Sequence, residues 1–175
     1  MQKRDSLKNE IYQVAYLNGN FKLRSGQISN EYFDKYLFES SPRLLNDIAE
    51  ELVKLIPDDT EILAGLEMGG IPIATAISLR ADLPVVFVRK KAKEYGTCKL
   101  AEGIDVKDKN VCVIEDVVTT GGQVVTSVKE LIGFGAKITN VMCVIERDKK
   151  GRENLKEAGL ELISLFTMEE LKGLD

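Results

Sequence analysis

From residue 61 onward the apolar positions fall into short runs that alternate with helical spacings. Residues 61–65, 84–88, 111–115, 141–145 and 162–166 read as strands, each a brief apolar run bounded by turn residues. Residues 70–79 read as a helix with Pro72 in its first turn. Residues 123–134 read as a second helix, with Val124, Val125, Val128, Leu131 and Ile132 inward and Gly133 and Gly135 at its end. A short helix over 154–158 is stopped by Gly159. Strands apolar on both faces, separated by helices, predict an α/β fold with a mainly parallel sheet covered on both sides.

The first sixty residues follow different periods. Leu7, Ile11, Val14 and Leu17 predict a helix over 4–18. Residues 21–38, FKLRSGQISNEYFDKYLF, alternate as short strands about a Ser25-Gly26 turn. Leu44, Leu45, Ile48, Leu52 and Leu55 share one face of a helix predicted over 42–55. Residues 89–103 are polar, charged and punctuated by glycine, and read as a long mobile loop.

Composition narrows the chemistry. The 175 residues suit one domain, with 44% hydrophobic and 30% charged positions. A net charge of −4 points to neither nucleic acid nor an anionic membrane. No apolar run reaches the roughly 20 residues that span a bilayer. The opening MQKRDSLKNE lacks a secretory apolar segment. Cys98, Cys112 and Cys143 are an odd count, two of them inside apolar runs, which suits a reducing cytoplasm. Histidine and tryptophan are absent. That excludes Ser-His-Asp and Cys-His catalysis and any His-ligated zinc or iron. Carboxylates, Lys, Arg, Tyr, hydroxyls, backbone amides and a bound hard metal remain.

The stretch VCVIEDVVTTGGQVV (111–125) concentrates those groups. Glu115 and Asp116 end the predicted strand, and in an open α/β sheet ligands bind beyond the strands' carboxyl ends. Val117 and Val118 lead into Thr119, Thr120, Gly121 and Gly122, and a helix opens at Gln123. Backbone N–H groups at a helix start hold an anion, glycines admit close approach, and the threonines add hydroxyl donors. Two acids beside such a nest suit a ribose 5-phosphate. The stretch lacks the lysine of a Walker A loop and is not G-x-G-x-x-G. The competing reading is that the acids merely solvate a strand end.

IEDVVTTGG resembles the phosphoribosyl pyrophosphate (PRPP) motif of type I phosphoribosyltransferases. Three further stretches resemble the orotate phosphoribosyltransferases among them. FVRKKAKEYGTCKLAEG (87–103) matches a catalytic-loop pattern Arg-Lys-x-x-Lys-x-x-Gly at Arg89, Lys90, Lys93 and Gly96. FKLRSGQISNEYFDKYLFES (21–40) is similar to that family's N-terminal segment. VIERDKKG (144–151) is similar to the strand end whose arginine, here Arg147, holds the orotate carboxylate. The resemblance covers about residues 11–166. Two departures stand out: Tyr95 replaces the usual loop histidine, and Gly69 stands where some members carry lysine.

The resemblance implies a type I phosphoribosyltransferase fold, with residues 1–40 as an N-terminal hood over the sheet. It implies transfer of phosphoribose from PRPP to orotate, giving orotidine 5′-monophosphate and pyrophosphate in pyrimidine biosynthesis. Glu115 and Asp116 then meet the ribose hydroxyls, Thr119 to Gln123 cradle the 5′-phosphate, and Val117 and Val118 belong to the same PRPP site. Arg89, Lys90, Lys93 and Tyr95 meet the pyrophosphate, with Arg24 beside them. Arg147, Thr119, Tyr32 and Phe33 meet orotate. Mg²⁺ is held mainly by PRPP and water rather than by a protein cage. A homodimer shares loop 89–103 across its interface. The rival readings are a PRPP-sensing regulator on the same fold and a purine or xanthine phosphoribosyltransferase. The retained lysines of the loop favour turnover, and a purine enzyme has no need of Arg147 as a carboxylate clamp.

Overall fold

The computed structural model describes residues 2–22, 26–90 and 100–173. The chain opens with α1 (Gln2–Ala15), then a hairpin of β1 (Tyr16–Lys22) and β2 (Ile28–Phe33). Short α2 (Tyr36–Glu39) and α3 (Pro42–Val53) lead into the main sheet. There β3 (Ile62–Leu66), α4 (Gly70–Ala81), β4 (Val85–Val88), β5 (Ala101–Glu102), β6 (Val111–Val118) and α5 (Gly122–Gly133) follow in turn. The chain continues through β7 (Asn140–Glu146), α6 (Lys149–Glu157), β8 (Glu161–Thr167) and α7 (Met168–Lys172).

Among the described residues the main sheet has six strands in the order β5-β4-β3-β6-β7-β8. All neighbours run parallel except β4 and β5. Alternate strand residues serve opposite faces, as the period of two requires. Leu63, Cys112, Ile114, Met142 and Val144 join α1, α3 and α4 in one core. Ile62, Ala64, Val111, Val113, Val141 and Cys143 pack with Val128, Leu131 and Leu155 in the other. The α/β expectation holds, and each strand is apolar on both faces because each face has its own core.

The departures have local causes. The first helix ends at Ala15, and Leu17 instead pairs with Tyr32 in the hairpin. The alternation read through residue 38 stops at Phe33. Asp34 accepts a hydrogen bond from Tyr36 N (3.1 Å) and starts α2. Leu55 lies beyond α3, and Ile132 is 48% exposed rather than inward. The segment 89–103 is not loop throughout. Leu100 is buried, and Ala101–Glu102 pair with Val88 and Phe87. α6 starts at Lys149, five residues before the expected 154, because Asp148 caps it through Lys150 N (2.9 Å). The sequence pattern did not signal α7; Thr167 and Glu170 form its capping box.

Beside the cleft described below, Glu146 is a nearly buried acid at the end of β7, and Arg152 on α6 ion-pairs with it at 2.5 Å while donating to Leu162 O at 2.7 Å. Removing one partner leaves a buried charge unpaired. Because Arg152 is half exposed, Arg152→Ala is expected to cost about 2 kcal/mol, discounted from a fully buried pair for solvent screening. A thermal melt should fall by roughly 4–8 °C; an unchanged melting temperature would show that Glu146 is solvated.

Candidate active site

The topology opens a crevice at one place. Chain passing from β3 through α4 goes to β4 on one side, while β6 through α5 goes to β7 on the other. The switch between β3 and β6 is where open α/β sheets bind ligands. Pairing of β3 with β6 ends at Gly65↔Ile114, but β6 continues against β7 through Val118↔Glu146. Glu115 and Asp116 therefore sit inside a strand, not at its end as the sequence suggested. They lie where β6 has outrun its neighbour. The β-branched Val117 and Val118 keep the extended pairing alive.

A cleft of about 420 Å³ occupies that gap, lined by Glu115, Asp116, residues 117–124, Glu67, Met68, Lys35, Tyr36 and Lys90. Gly121 has φ 72° just before α5 begins at Gly122, so only glycine turns the chain there at little cost. The N–H groups of the first turn of α5 open towards the cleft without an N-cap side chain. Thr119 and Thr120 are exposed beside them. The residues read from the sequence as an anion nest thus line one concave surface.

The acids divide into different states. Glu115 keeps partial exposure, and burial together with the Asp116 charge pushes its carboxyl well above the usual range. Asp116 is fully buried. Burial opposes its charge, but donors outweigh it: the Glu115 carboxyl hydrogen-bonds to it, Lys35 ion-pairs with Oδ2, and Val117 N donates to Oδ1 at 2.5 Å, so its carboxyl lies below the usual range. A third acid, Glu39, stands behind Asp116, and burial plus the Asp116 charge push it up to about 8. One lysine cannot support three ionised carboxyls in a dry site, and Asp116 holds the charge. The Asp116 oxygens are buried and engaged, and Glu115 is the acid with surface on the cleft.

A second cleft, about 390 Å³, lies under the hairpin and is lined by Tyr16, Lys22, Ser29, Glu31, Tyr32, Phe33, Arg147, Met168 and Lys172. Tyr32, Phe33 and Arg147 are thereby brought together across more than 100 residues of sequence. Tyr32 stacks on Phe21 with ring centroids 5.4 Å apart and stays 42% exposed, a flat wall. Phe33 instead turns into the core against Phe38. Arg147 N donates to Val118 O (2.8 Å), which joins the two clefts at the β6–β7 ends. Thr119 lines the first cleft and not the second.

Lys90 lines the first cleft, its N–H bonded to Glu67 Oε1 (2.9 Å). Arg89 does not line it; its Nε lies 3.6 Å from Glu102, and its N–H meets Leu100 O at 2.9 Å. Arg24, Lys93 and Tyr95 lie outside the described residues. Lys35, Glu39, Glu67 and Met68 join the site although the sequence reading assigns them no role. The signal for Lys35 and Glu39 was an acid and a lysine inside the run FDKYLFE, concealed by its strand-like alternation.

The mainly parallel sheet with acids and a glycine-led helix start at its switch point fits one class, and the family model for the phosphoribosyl transferase domain matches residues 38–164. The orotate phosphoribosyltransferase of Nocardioides sp. is 51% identical over 95% of this chain and 93% of its own length. That of Methanocella arvoryzae is 43% identical over 89% of each. The crystal structure of the Mycobacterium tuberculosis orotate phosphoribosyltransferase with Fe(III) dicitrate superposes with a TM-score of 0.86 at 29% identity, covering 97% of this chain and 98% of that one. The same enzyme with PRPP gives 0.81 at 26% identity, over 97% and 99%. The chain belongs to the orotate phosphoribosyltransferases, within the phosphoribosyltransferase family.

Proposed function

We propose that this enzyme transfers phosphoribose from PRPP to orotate, giving orotidine 5′-monophosphate and pyrophosphate. The observation that carries this reading is the pair of adjoining clefts, an anion nest with acids in one and Arg147 beside Tyr32 in the other. Breaking the anomeric bond puts positive charge on the ribose and negative charge on departing pyrophosphate, so placement of charge matters more than a strong base. The nest at residues 119–123 takes the 5′-phosphate. Glu115 meets the ribose hydroxyls, and the buried Asp116 charge beneath it faces the developing cation. Arg147 grips the orotate carboxylate with two parallel donors, and Tyr32 covers the ring. The cleft offers hard oxygen donors and cations, which fits Mg²⁺ held by substrate oxygens and water, with no side chain assigned as its ligand. When bound, the ion offsets charge on the leaving pyrophosphate. Release of pyrophosphate on adding orotate to enzyme, PRPP and Mg²⁺ tests the assignment; no release would remove it.

Lys90 and Lys93 neutralise the pyrophosphate, and closure of the segment between β4 and β5 excludes water. Lys93→Ala is expected to lower kcat about a hundredfold or more while ribose 5-phosphate binding changes by less than about threefold. Unchanged turnover would take this loop out of the mechanism. We infer a homodimer in which the loop reaches the neighbouring site. Two features support it: Arg89 pairs with Glu102 rather than lining its own cleft, and α4 is apolar nearly all round. Leu79 on α4 and Met68 before it are 84% and 61% exposed. A cytoplasmic setting suits the buried free thiols of Cys112 and Cys143.

A further inference from the structure

Lys35 is a cation at the cleft that none of the roles above employs. It precedes α2, and its side chain keeps 32% exposure on the cleft wall. Two contacts fix its ammonium: the ion pair with Asp116 and the face of Tyr36, whose ring centroid is 5.3 Å away. Lys35 and Lys90 both line the cleft that holds the nest at residues 119–123. A ligand with one phosphate in that nest needs cations for its second anionic group.

The floor under Lys35 is unusual. Glu39 Oε1 is buried without a hydrogen-bond partner among the described residues, and beside it the buried Asp116 Oδ2 meets the Lys35 ammonium. Both crowd Gly69: a Cβ there would lie 1.6 Å from Asp116 Oδ2 and 2.8 Å from Glu39 Oε1. Two buried acceptor oxygens in one gap are satisfied when a single proton lies between them. Burial and the neighbouring charges hold that proton on Glu39 up to about pH 8.

We propose that Lys35 is a substrate-contacting residue that binds the diphosphate of PRPP, and that Glu39, as a carboxylic acid hydrogen-bonded to Asp116, is the positioning residue that keeps Asp116 a single charge beneath the ammonium. A purely structural role does not explain the arrangement, since an apolar side chain at Glu39 would fill the same space without a buried acid. The inference rests on the reading of this cleft as the PRPP site.

The test compares Lys35→Met, Lys35→Arg, Glu39→Leu and Glu39→Gln with the wild type. Affinities for PRPP, pyrophosphate and ribose 5-phosphate are measured by calorimetry beside KM and kcat. Lys35→Met should weaken PRPP and pyrophosphate by about tenfold or more, and ribose 5-phosphate by less than about twofold, with Lys35→Arg restoring part of the loss. Equal weakening of all three ligands, or of none, would overturn the assignment. Glu39→Leu should fold and lose PRPP affinity by several-fold (an order-of-magnitude expectation for one charge-assisted contact), and Glu39→Gln, which keeps a donor to Asp116, should recover most of it. The groups facing Glu39 are Asp116 from β6 and Asp34 and Lys35 before α2. Ionising it adds a second negative charge under the ammonium. The PRPP KM of the wild type should therefore rise above about pH 8, and that of Glu39→Gln should not. Parallel pH profiles would remove Glu39 from the inference. A wild type that binds neither PRPP nor pyrophosphate would overturn the reading of the cleft, and this inference with it.

Discussion

Replacing Arg147 by alanine is expected to lower kcat/KM for orotate by about 10²–10³-fold, the loss of two charge-assisted hydrogen bonds, while PRPP affinity stays within about threefold. The separation follows from the architecture. Arg147 lines the hairpin cleft, whereas the nest and its acids line the other. Its backbone is fixed by the bond to Val118, so truncating the side chain leaves the β6–β7 ends in place. The side chain is exposed, and its loss opens no core cavity. Arg147→Lys should recover only part of the activity, because an ammonium cannot match a carboxylate with two coplanar donors. Steady-state kinetics with orotate varied at saturating PRPP reads the effect. Equal loss for both substrates would mean that Arg147 supports the shared wall of the two clefts and does not read the base.

Gly69→Ala is expected to be nearly as damaging through one methyl group. The new carbon would fall 1.6 Å from Asp116 Oδ2, far inside contact distance. Asp116 has no room to yield, since Lys35 and Val117 N pin its two oxygens and the residue is fully buried. Displacing the carboxylate removes the counter-charge of Lys35 and tilts the floor of the ribose site. Overpacking of this kind costs about 1–3 kcal/mol of stability, and kcat/KM for PRPP should fall by about a hundredfold or more because catalytic geometry is sensitive to shifts near 1 Å. A melt and a PRPP titration on the same preparation separate the two effects. Wild-type kinetics in this variant would mean that Asp116 is free to move, and the charge arrangement described around it would not stand.

The parts of this site that are legible in the sequence are those whose residue types answer a local demand. Gly121 needs a positive φ, Thr119 and Thr120 flank a helix start, and the acids follow an apolar strand, so the residues of 111–125 by themselves spell a phosphate loop. Even there the strand runs three residues past its expected end, because pairing of Val117 and Val118 with β7 is a tertiary choice. Arg147 and Tyr32 meet only through packing of the hairpin over the sheet. No local period encodes that meeting, and only resemblance to a family points to it. Lys35 and Glu39 are signalled only weakly, as a lysine and an acid inside a strand-like run. Their segment alternates like a strand, but after Asp34 it forms a single turn of helix, with Lys35 just before it on the cleft and Glu39 buried at its end.

The most direct measurement mixes the purified enzyme with PRPP and Mg²⁺ and follows base absorbance with orotate, uracil, hypoxanthine and xanthine in parallel. Turnover of orotate alone is the predicted result, and it would also show that a loop carrying Tyr95 sustains catalysis. Turnover of a different base, with orotate untouched, would contradict the role of Arg147 and the account built on the two clefts; PRPP binding without turnover of any base would bring forward a regulator on the same fold.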